Sequence, residues 1–461
     1  MVIRDGLILL ICMLLLFVPL LGQAESYLQE AVLTIPDSFS LQINGTLNEW
    51  MPLDEVRTAQ LTRLLDHIEI ELVKSSDVSR MTIQVDHNPS VCLYIEENKT
   101  GQRVHISSLP AFAFSGEGQV LSKLIPDQPS SADLPGIGMI HEMQMMEECG
   151  RLFELLMRSD SVSKIEKKDR QNVVGYGPTS KRIMISITPA FTDTISSLIP
   201  DAQIVDLLSE VGFTGNQNLY LLVSDQGEIY KASYSGSVET ASGTWKISSS
   251  WKMKQTDDLL KRAVEFEAVK RPENEETSRK ITWSFEMIRE SGKEEFSCQR
   301  IERDGNQQEV QQMTSSIEKD GARMHGTCVI RRGDQLKGKN GVLLELNPDL
   351  ILSQESPFLS GDIGFRYTTD QQNPYSGSVS ILAKSSQAIV FPEVQETISL
   401  DMISNTEIDR WSDQVAKRCA GALLSDLVLI DSSDTAFLSD GLSESDWLRI
   451  VLAAGPVVEE E

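Results

Sequence analysis

The chain has 461 residues, with 42 Lys and Arg against 68 Asp and Glu and a formal net charge of −26. Nucleic acid and anionic membrane surfaces require clustered cations, so this balance argues against both as partners and fits simple solubility in water. The length is ample for two cores.

The N-terminus reads as an export signal. Arg4 precedes an almost wholly apolar run from Leu7 to Leu21, and Gly22-Gln23-Ala24 supplies small residues at the cleavage positions. The run is about 15 residues, short of the ~20 that a helix needs to cross a bilayer core, and Pro19 breaks it. Residues 1–24 are therefore expected to be cleaved after Ala24, with a retained N-terminal anchor as the alternative. Cys12 lies inside the run with no small residue before it, unlike a lipoprotein cysteine. No later stretch is long and apolar enough to span a membrane. The mature chain is thus expected to be secreted or to reside in the cell envelope, without a transmembrane span. Removing residues 1–24 leaves Cys92, Cys149, Cys298, Cys328 and Cys419. An odd, scattered set suits buried thiols better than a disulfide framework.

Residues 25–114 read as a first lobe. A strand at Phe39 to Ile43 leads to a helix at Val56 to Leu65, then to a meander in which Ile68, Ile70 and Leu72, then Met81, Ile83 and Val85, then Val91, Leu93 and Ile95 alternate with polar residues. Such alternation marks strands with one buried and one wet face. Turns fall at Asp86 to Ser90 and Asn98 to Gln102. Residues 115–165 follow, as a Gly-, Pro- and Ser-rich linker at 115–138 and a Met-rich helix at about 139–157.

Residues 166–403 read as a larger meander lobe. A strand at Arg182 to Thr188, a helical stretch between Pro189 and Val211 and a meander from Leu219 repeat the order of the first lobe. Two-residue loops at Ser242-Gly243, Ser291-Gly292, Asp304-Gly305 and Asp320-Gly321 set its register. They place Met287, Phe296, Met313 and Cys328 in one row, and Phe285, Cys298, Gln311 and Ile330 in the next. Cys298 and Cys328 then lie two strands and one row apart, ~12 Å, too far for a disulfide. Further strands are expected near Gly341 to Leu346, Asp362 to Thr368, Ser376 to Leu382 and Thr397 to Met402. In residues 404–461, Ile408, Trp411, Val415, Cys419 and Leu423 form a helical stripe, capped by Asn405 or Thr406. A short helix at Ser445 to Ala453 and an acidic tail close the chain.

The chemical motifs fail on inspection. His141-Glu142 opens a zinc-protease pattern, but Met145 stands where the second histidine belongs. Gly333 to Lys339 has P-loop spacing, but Asn340 replaces the Ser or Thr and no helix follows. Arg332-Gly333-Asp334 is too short to weigh as an adhesion signal. The acidic loop Asp431 to Asp440 lacks calcium-site spacing. The other histidines, His67, His87, His105 and His325, show no ligand spacing and suit surface or strand-end positions. Asn44-Gly45-Thr46 and Asn98-Lys99-Thr100 match glycosylation acceptors. No catalytic, cofactor or metal residue is assigned, and an enzyme is not the favoured reading.

What stands out is soft and apolar. Met139, Met143, Met146 and Phe153 on the helix, with Trp245, Trp251, Met253, Trp283, Phe285 and Met287 on the sheet, form a candidate face for an apolar ligand. Ordinary helix-on-sheet core packing accounts for the same pattern. The order strand 182–188, helix near 189–210, meander from Leu219 is similar to the lipoprotein-carrier (LolA-like) proteins of bacterial envelopes. That resemblance implies that lipid or an acylated segment lies between sheet and helices. The expected fold is α+β: curved antiparallel sheets covered by helices, in two lobes related by a strand-helix-meander duplication. The expected function is a non-catalytic envelope protein binding an apolar ligand or acyl group. Alternatives are a structural or protein-interaction module at the cell surface and, more distantly, a hydrolase.

Overall fold

The computed structural model describes residues 38–430 except 51–54, 76, 99–100, 118–119, 125–152, 154–155, 158–162, 188–211, 214–216, 241–242, 257, 271–278, 306, 335–338, 354 and 370–373. The signal segment, the helical expectation at 189–211, the acidic loop at 431–440 and the helix at 445–453 lie outside the described residues.

Strand β1 (Phe39–Trp50) organises the molecule because both of its edges are paired. Its alternation turns Leu41, Ile43 and Leu47 into one core. On one side it pairs with β2 (Ile68–Lys74), reached through helix α1 (Glu55–Asp66), and a meander continues through β3 (Val78–Val85), β4 (Asn88–Asn98), β5 (Gly101–Ile106) and β6 (Phe112–Gly116). The β3–β4 turn places Asp86 and His87 at positive φ, as a tight hairpin demands.

On its other side β1 pairs with the last long strand of the second meander, β22 (Pro374–Ser385). That meander begins with β7 (Lys164–Lys168) beside β10 (Lys181–Ile187), with a separate hairpin of β8 (Asn172–Val173) and β9 (Gly177–Pro178) between them in sequence. After the two-residue β11 (Gly212–Phe213) come β12 (Gln217–Val223), β13 (Ile229–Thr240), β14 (Gly243–Gln255), β15 (Leu259–Lys270) and β16 (Arg279–Glu290). Then follow β17 (Lys293–Asp304), β18 (Gln307–Asp320), β19 (Arg323–Asp334), β20 (Lys339–Leu352) and β21 (Leu359–Thr369). Each pairs antiparallel with the next, and a short parallel strand β23 (Glu396–Ser399) adds to β6.

The expectation of an α+β fold in two helix-covered lobes is corrected by this topology. The molecule is mostly β: one 21-stranded sheet, with α1, α2 (Val120–Leu124), α3 (Asn405–Ile430) and the helical residues Phe153, Leu156 and Met157 among the described residues. The two meanders are not separate copies but the two flanks of β1, joined by continuous backbone hydrogen bonding. Among the described residues no register joins β7 to β23.

Local chemistry explains the ends. The stretch expected as a linker at 115–138 contains the end of β6 and α2, whose Val120 and Leu124 are buried in a core with Val104, Phe114 and Val415. Helix α3 buries the expected stripe: Trp411, Val415 and Cys419 pack there, and Leu423 and Leu427 pack on Leu64 and Val85. Its cap is Ser404 rather than Asn405 or Thr406. The Glu407 amide donates to Ser404 Oγ at 3.3 Å and the Ser404 amide to Glu407 Oε2 at 3.0 Å, a reciprocal capping box.

The hairpin loops hold a second correction. Ser291-Gly292 turns as expected, at φ 47° and 83°, and sets Met287 opposite Phe296. At the next two hairpins glycine takes the first loop position, so Asp304 pairs with Gln307 and Asp320 with Arg323. Phe296 therefore faces Ser315, while Met313 lies between Cys298 and Ile330. The β13–β14 register slips in the opposite direction: Gly243 pairs with Thr240 instead of sitting in the loop, and Val238 faces Trp245 rather than Ile247. A slip of two keeps every side chain on its face.

Candidate interaction faces of the sheet

The register assembles one inner row across successive strands: Ile183, Leu221, Ala232, Trp251, Val264, Phe285, Cys298, Met313, Ile330, Leu344. The expected sheet residues share this face. Trp251 and Phe285 are in the row, Met253 and Met287 lie two residues to one side, and Trp283 two to the other. Trp245 sits at the same face's end. The rings of Trp283 and Phe285 lie parallel, 6.0 Å apart. From the helix, Phe153 packs against Trp251, while Met139, Met143 and Met146 lie outside the described residues.

This face is a packed core. Trp283 is 3% exposed, Met287 2% and Cys298 0%, and they cluster with Val264, Met313 and Ile330. The apolar zone is also narrow. Arg262 lies opposite Met287, and Arg300 lies opposite Trp283, with Gln311 and Arg332 continuing its row. These guanidiniums are tied down, Arg300 on Glu302 at 3.2 Å and Arg332 on Glu309 at 2.7 Å. The Glu309 carboxyl is held below the usual range by hydrogen bonds from Gln311 and Arg332, against the opposing effect of its burial.

The outer face is mostly polar, although Ile301, Val310 and Val329 also lie on it and Val310 is buried. Lys280 pairs with Glu267 at 2.7 Å, Lys293 with Glu295 at 2.6 Å, and Arg323 grips Asp349 through two bonds. Between these pairs run hydroxyl and amide side chains, including Ser284, Ser297, Gln299, Gln312, Thr314 and Thr327.

One structure stands on this face that sequence reading missed. The β8–β9 hairpin seats Val173 and Tyr176 on Leu222, Tyr230 and Ala263. Tyr176 is 4% exposed, the Lys261 ammonium lies 5.4 Å from its ring centroid, and its hydroxyl has no hydrogen-bond partner. Burial, with the nearby charges of Glu286 and Glu265, pushes the phenol up to about 12. Two-residue strands carry too little alternation to be read from sequence.

The remaining motifs resolve plainly. Arg332 of the Arg-Gly-Asp tripeptide lies in a strand with its guanidinium on Glu309; Asp334 pairs with Lys339 at the ends of β19 and β20, and the rest of the P-loop-like stretch, 335–338, lies outside the described residues. His67 bonds Asp86 at 2.6 Å, while His87 and His325 lie near Glu69 and Glu318. His105 departs from expectation, being buried with Nδ1 2.8 Å from the Phe112 carbonyl and its ring between Tyr94 and Phe391. His141 and Glu142 lie outside the described residues. Among the described residues no three or more His, Cys, Asp or Glu side chains are placed to hold a metal ion. No described helix is long and apolar enough to cross a membrane. Cys92, Cys298, Cys328 and Cys419 form no disulfide with one another among the described residues.

No protein-family model and no curated protein matches the sequence. Solved structures that align with the chain are outer-membrane porins. A BenF-like porin from Pseudomonas fluorescens Pf-5 aligns over 76% of this chain and 98% of its own, at 6% identity and a TM-score of 0.31. OpdO of Pseudomonas aeruginosa aligns over 76% and 96%, at 6% identity and 0.28. The outer membrane protein opdK of Pseudomonas aeruginosa aligns over 75% and 98%, at 4% identity and 0.27. Likeness at this level reflects long antiparallel meanders and carries no inference about activity. The resemblance to lipoprotein carriers is corrected by the fold itself: the sheet is one long ladder, not two helix-covered lobes. Ligand binding between sheet and helices is not supported, because the sheet members Trp283, Phe285 and Met287 pack into a buried cluster.

Proposed function

We propose that this chain is exported to the cell envelope and acts there as a non-catalytic, water-exposed sheet scaffold that meets its partners through the outer face of the second meander. The observation that carries this reading is that charge borders or covers both faces of β14–β20. A spanning barrel needs an outward apolar band ~25 Å tall, and a cation at its middle costs about 2–4 kcal/mol. Here the row through Phe285 and Met313 has Arg300 and Arg332 in the row on one side and Arg262 in the row on the other. Rows on one face are ~7 Å apart, so the wholly apolar strip is far narrower than hydrocarbon requires.

Fractionation of cells producing the full-length chain tests the proposal. The expected result is a mature protein in the soluble envelope fraction, or one washed from membranes by salt at neutral pH. Retention until detergent is added would overturn the proposal in favour of a membrane-embedded sheet.

A further inference from the structure

The chain is strongly acidic, yet one corner of its outer face is basic. The strand register lines up Lys167, Arg182, Leu222, Lys231 and Lys252 on neighbouring strands β7, β10, β12, β13 and β14. At ~4.8 Å per strand this row is ~19 Å long. Lys254 and Lys261 pair with one another beside it. Three of these six cations have carboxylate partners, Arg182 with Asp169 at 3.3 Å, Lys252 with Glu265 at 3.8 Å and Lys261 with Glu286 at 3.7 Å. Lys167, Lys231 and Lys254 have none among the described residues.

Lysines on an edge strand are a common guard against pairing with another chain. That accounts for Lys167 on β7, but β13 and β14 are interior strands, so Lys231, Lys252 and Lys254 need another reason. The β8–β9 hairpin rests on the apolar member of the row, Leu222, and on Ala263 next to Lys252, and this leaves the cations around its foot. In a chain of net charge −26, these six cations outnumber the four carboxylates beside them, Asp169, Glu228, Glu265 and Glu286.

We propose that these cations bind a linear polyanion carrying phosphate groups, which passes around the foot of the hairpin seated on Leu222 and Ala263. The proposal rests on the outer face being the working face, as argued above, and names its partner. Cations spread over ~19 Å of sheet suit an extended chain of repeated charges better than a single anion.

Titration of the full mature chain with inorganic polyphosphate at several salt concentrations tests it. Four charge contacts give an expected slope of log affinity against log salt of about −3. Lys167→Gln, Lys231→Gln, Lys252→Gln and Lys254→Gln together should weaken binding at least tenfold. Lys280→Gln with Lys293→Gln, elsewhere on the face, should leave it unchanged. Orthophosphate binding as tightly as the polymer, binding only to anionic lipid vesicles, or no binding at low salt would each overturn the proposal. So would equal loss in the control variant. If the fourfold variant fails to fold, as judged by circular dichroism, the salt slope of the native chain decides: a slope near zero contradicts the proposal. Failure here with a salt-released protein in the fractionation removes the polyanion alone; detergent-dependent retention removes the scaffold reading itself.

Discussion

Phe153 stands edge-on to Trp251, with ring centroids 5.5 Å apart and planes at 83°. The contact carries a helical residue onto the inner row of the sheet, where Leu156, Ile183, Leu221 and Ala232 complete a buried cluster. Edge-to-face pairs add ~0.5–1.5 kcal/mol to simple burial. Phe153→Ala should therefore cost roughly 3–5 kcal/mol of stability, as measured by urea unfolding. A loss below ~1 kcal/mol would show that this packing is not part of the core.

The capping box of Ser404 and Glu407 makes a smaller claim. Ser404→Ala should destabilise the chain by about 1 kcal/mol. The Glu407 carboxyl is held below its ordinary range by the Ser404 amide and hydroxyl. A depressed carboxyl stabilises above its unfolded value and loses that contribution as pH falls through the folded one. The difference between wild type and Ser404→Ala should accordingly shrink on acidification; a difference that grows would refute the box.

Tyr176 gives a prediction of opposite sign. Its hydroxyl is buried without a partner, at a desolvation cost of ~1–3 kcal/mol. Tyr176→Phe should raise the melting temperature at neutral pH. The phenol titrates near 12 in the fold against about 10 unfolded. Its contribution is thus complete below pH 10 and lost between pH 10 and 12. Wild type should lose more stability than Tyr176→Phe across that window, and parallel curves would exclude the burial described.

The thiols test the register. Cys298 and Cys328 lie two strands and one row apart, and burial pushes the Cys328 thiol up to about 11. Peptides containing them should be recovered separately without reductant, and both should resist alkylation at pH 8 until the chain unfolds. A Cys298–Cys328 bridge would require another pairing of β17 to β19.

These cysteines also show what the sequence made legible. Turn chemistry puts glycine at the second loop position of Asp304-Gly305 and Asp320-Gly321, whereas Gly305 and Gly321 turn at the first, with φ near 60°. Both positions of such a turn need positive φ, so composition alone does not choose between them. The face of each residue survived the slip of two, but neighbours such as Phe296 and Met313 were exchanged. The joining of the meanders was illegible for another reason. Asn44 pairs with Ser380, more than 330 positions away, and nothing local records which edge of β1 is filled by which strand. The basic row escaped notice on the same ground, since Lys167, Arg182, Lys231 and Lys252 become neighbours only through the ladder.

The central claim is that the sheet turns its apolar row inward and works in water. The most direct measurement is sedimentation of the purified mature chain in detergent-free buffer, paired with current recording after its addition to a planar bilayer. The account requires a monodisperse species and a silent bilayer. Aggregation that only detergent relieves, together with stepwise conductance, would contradict it.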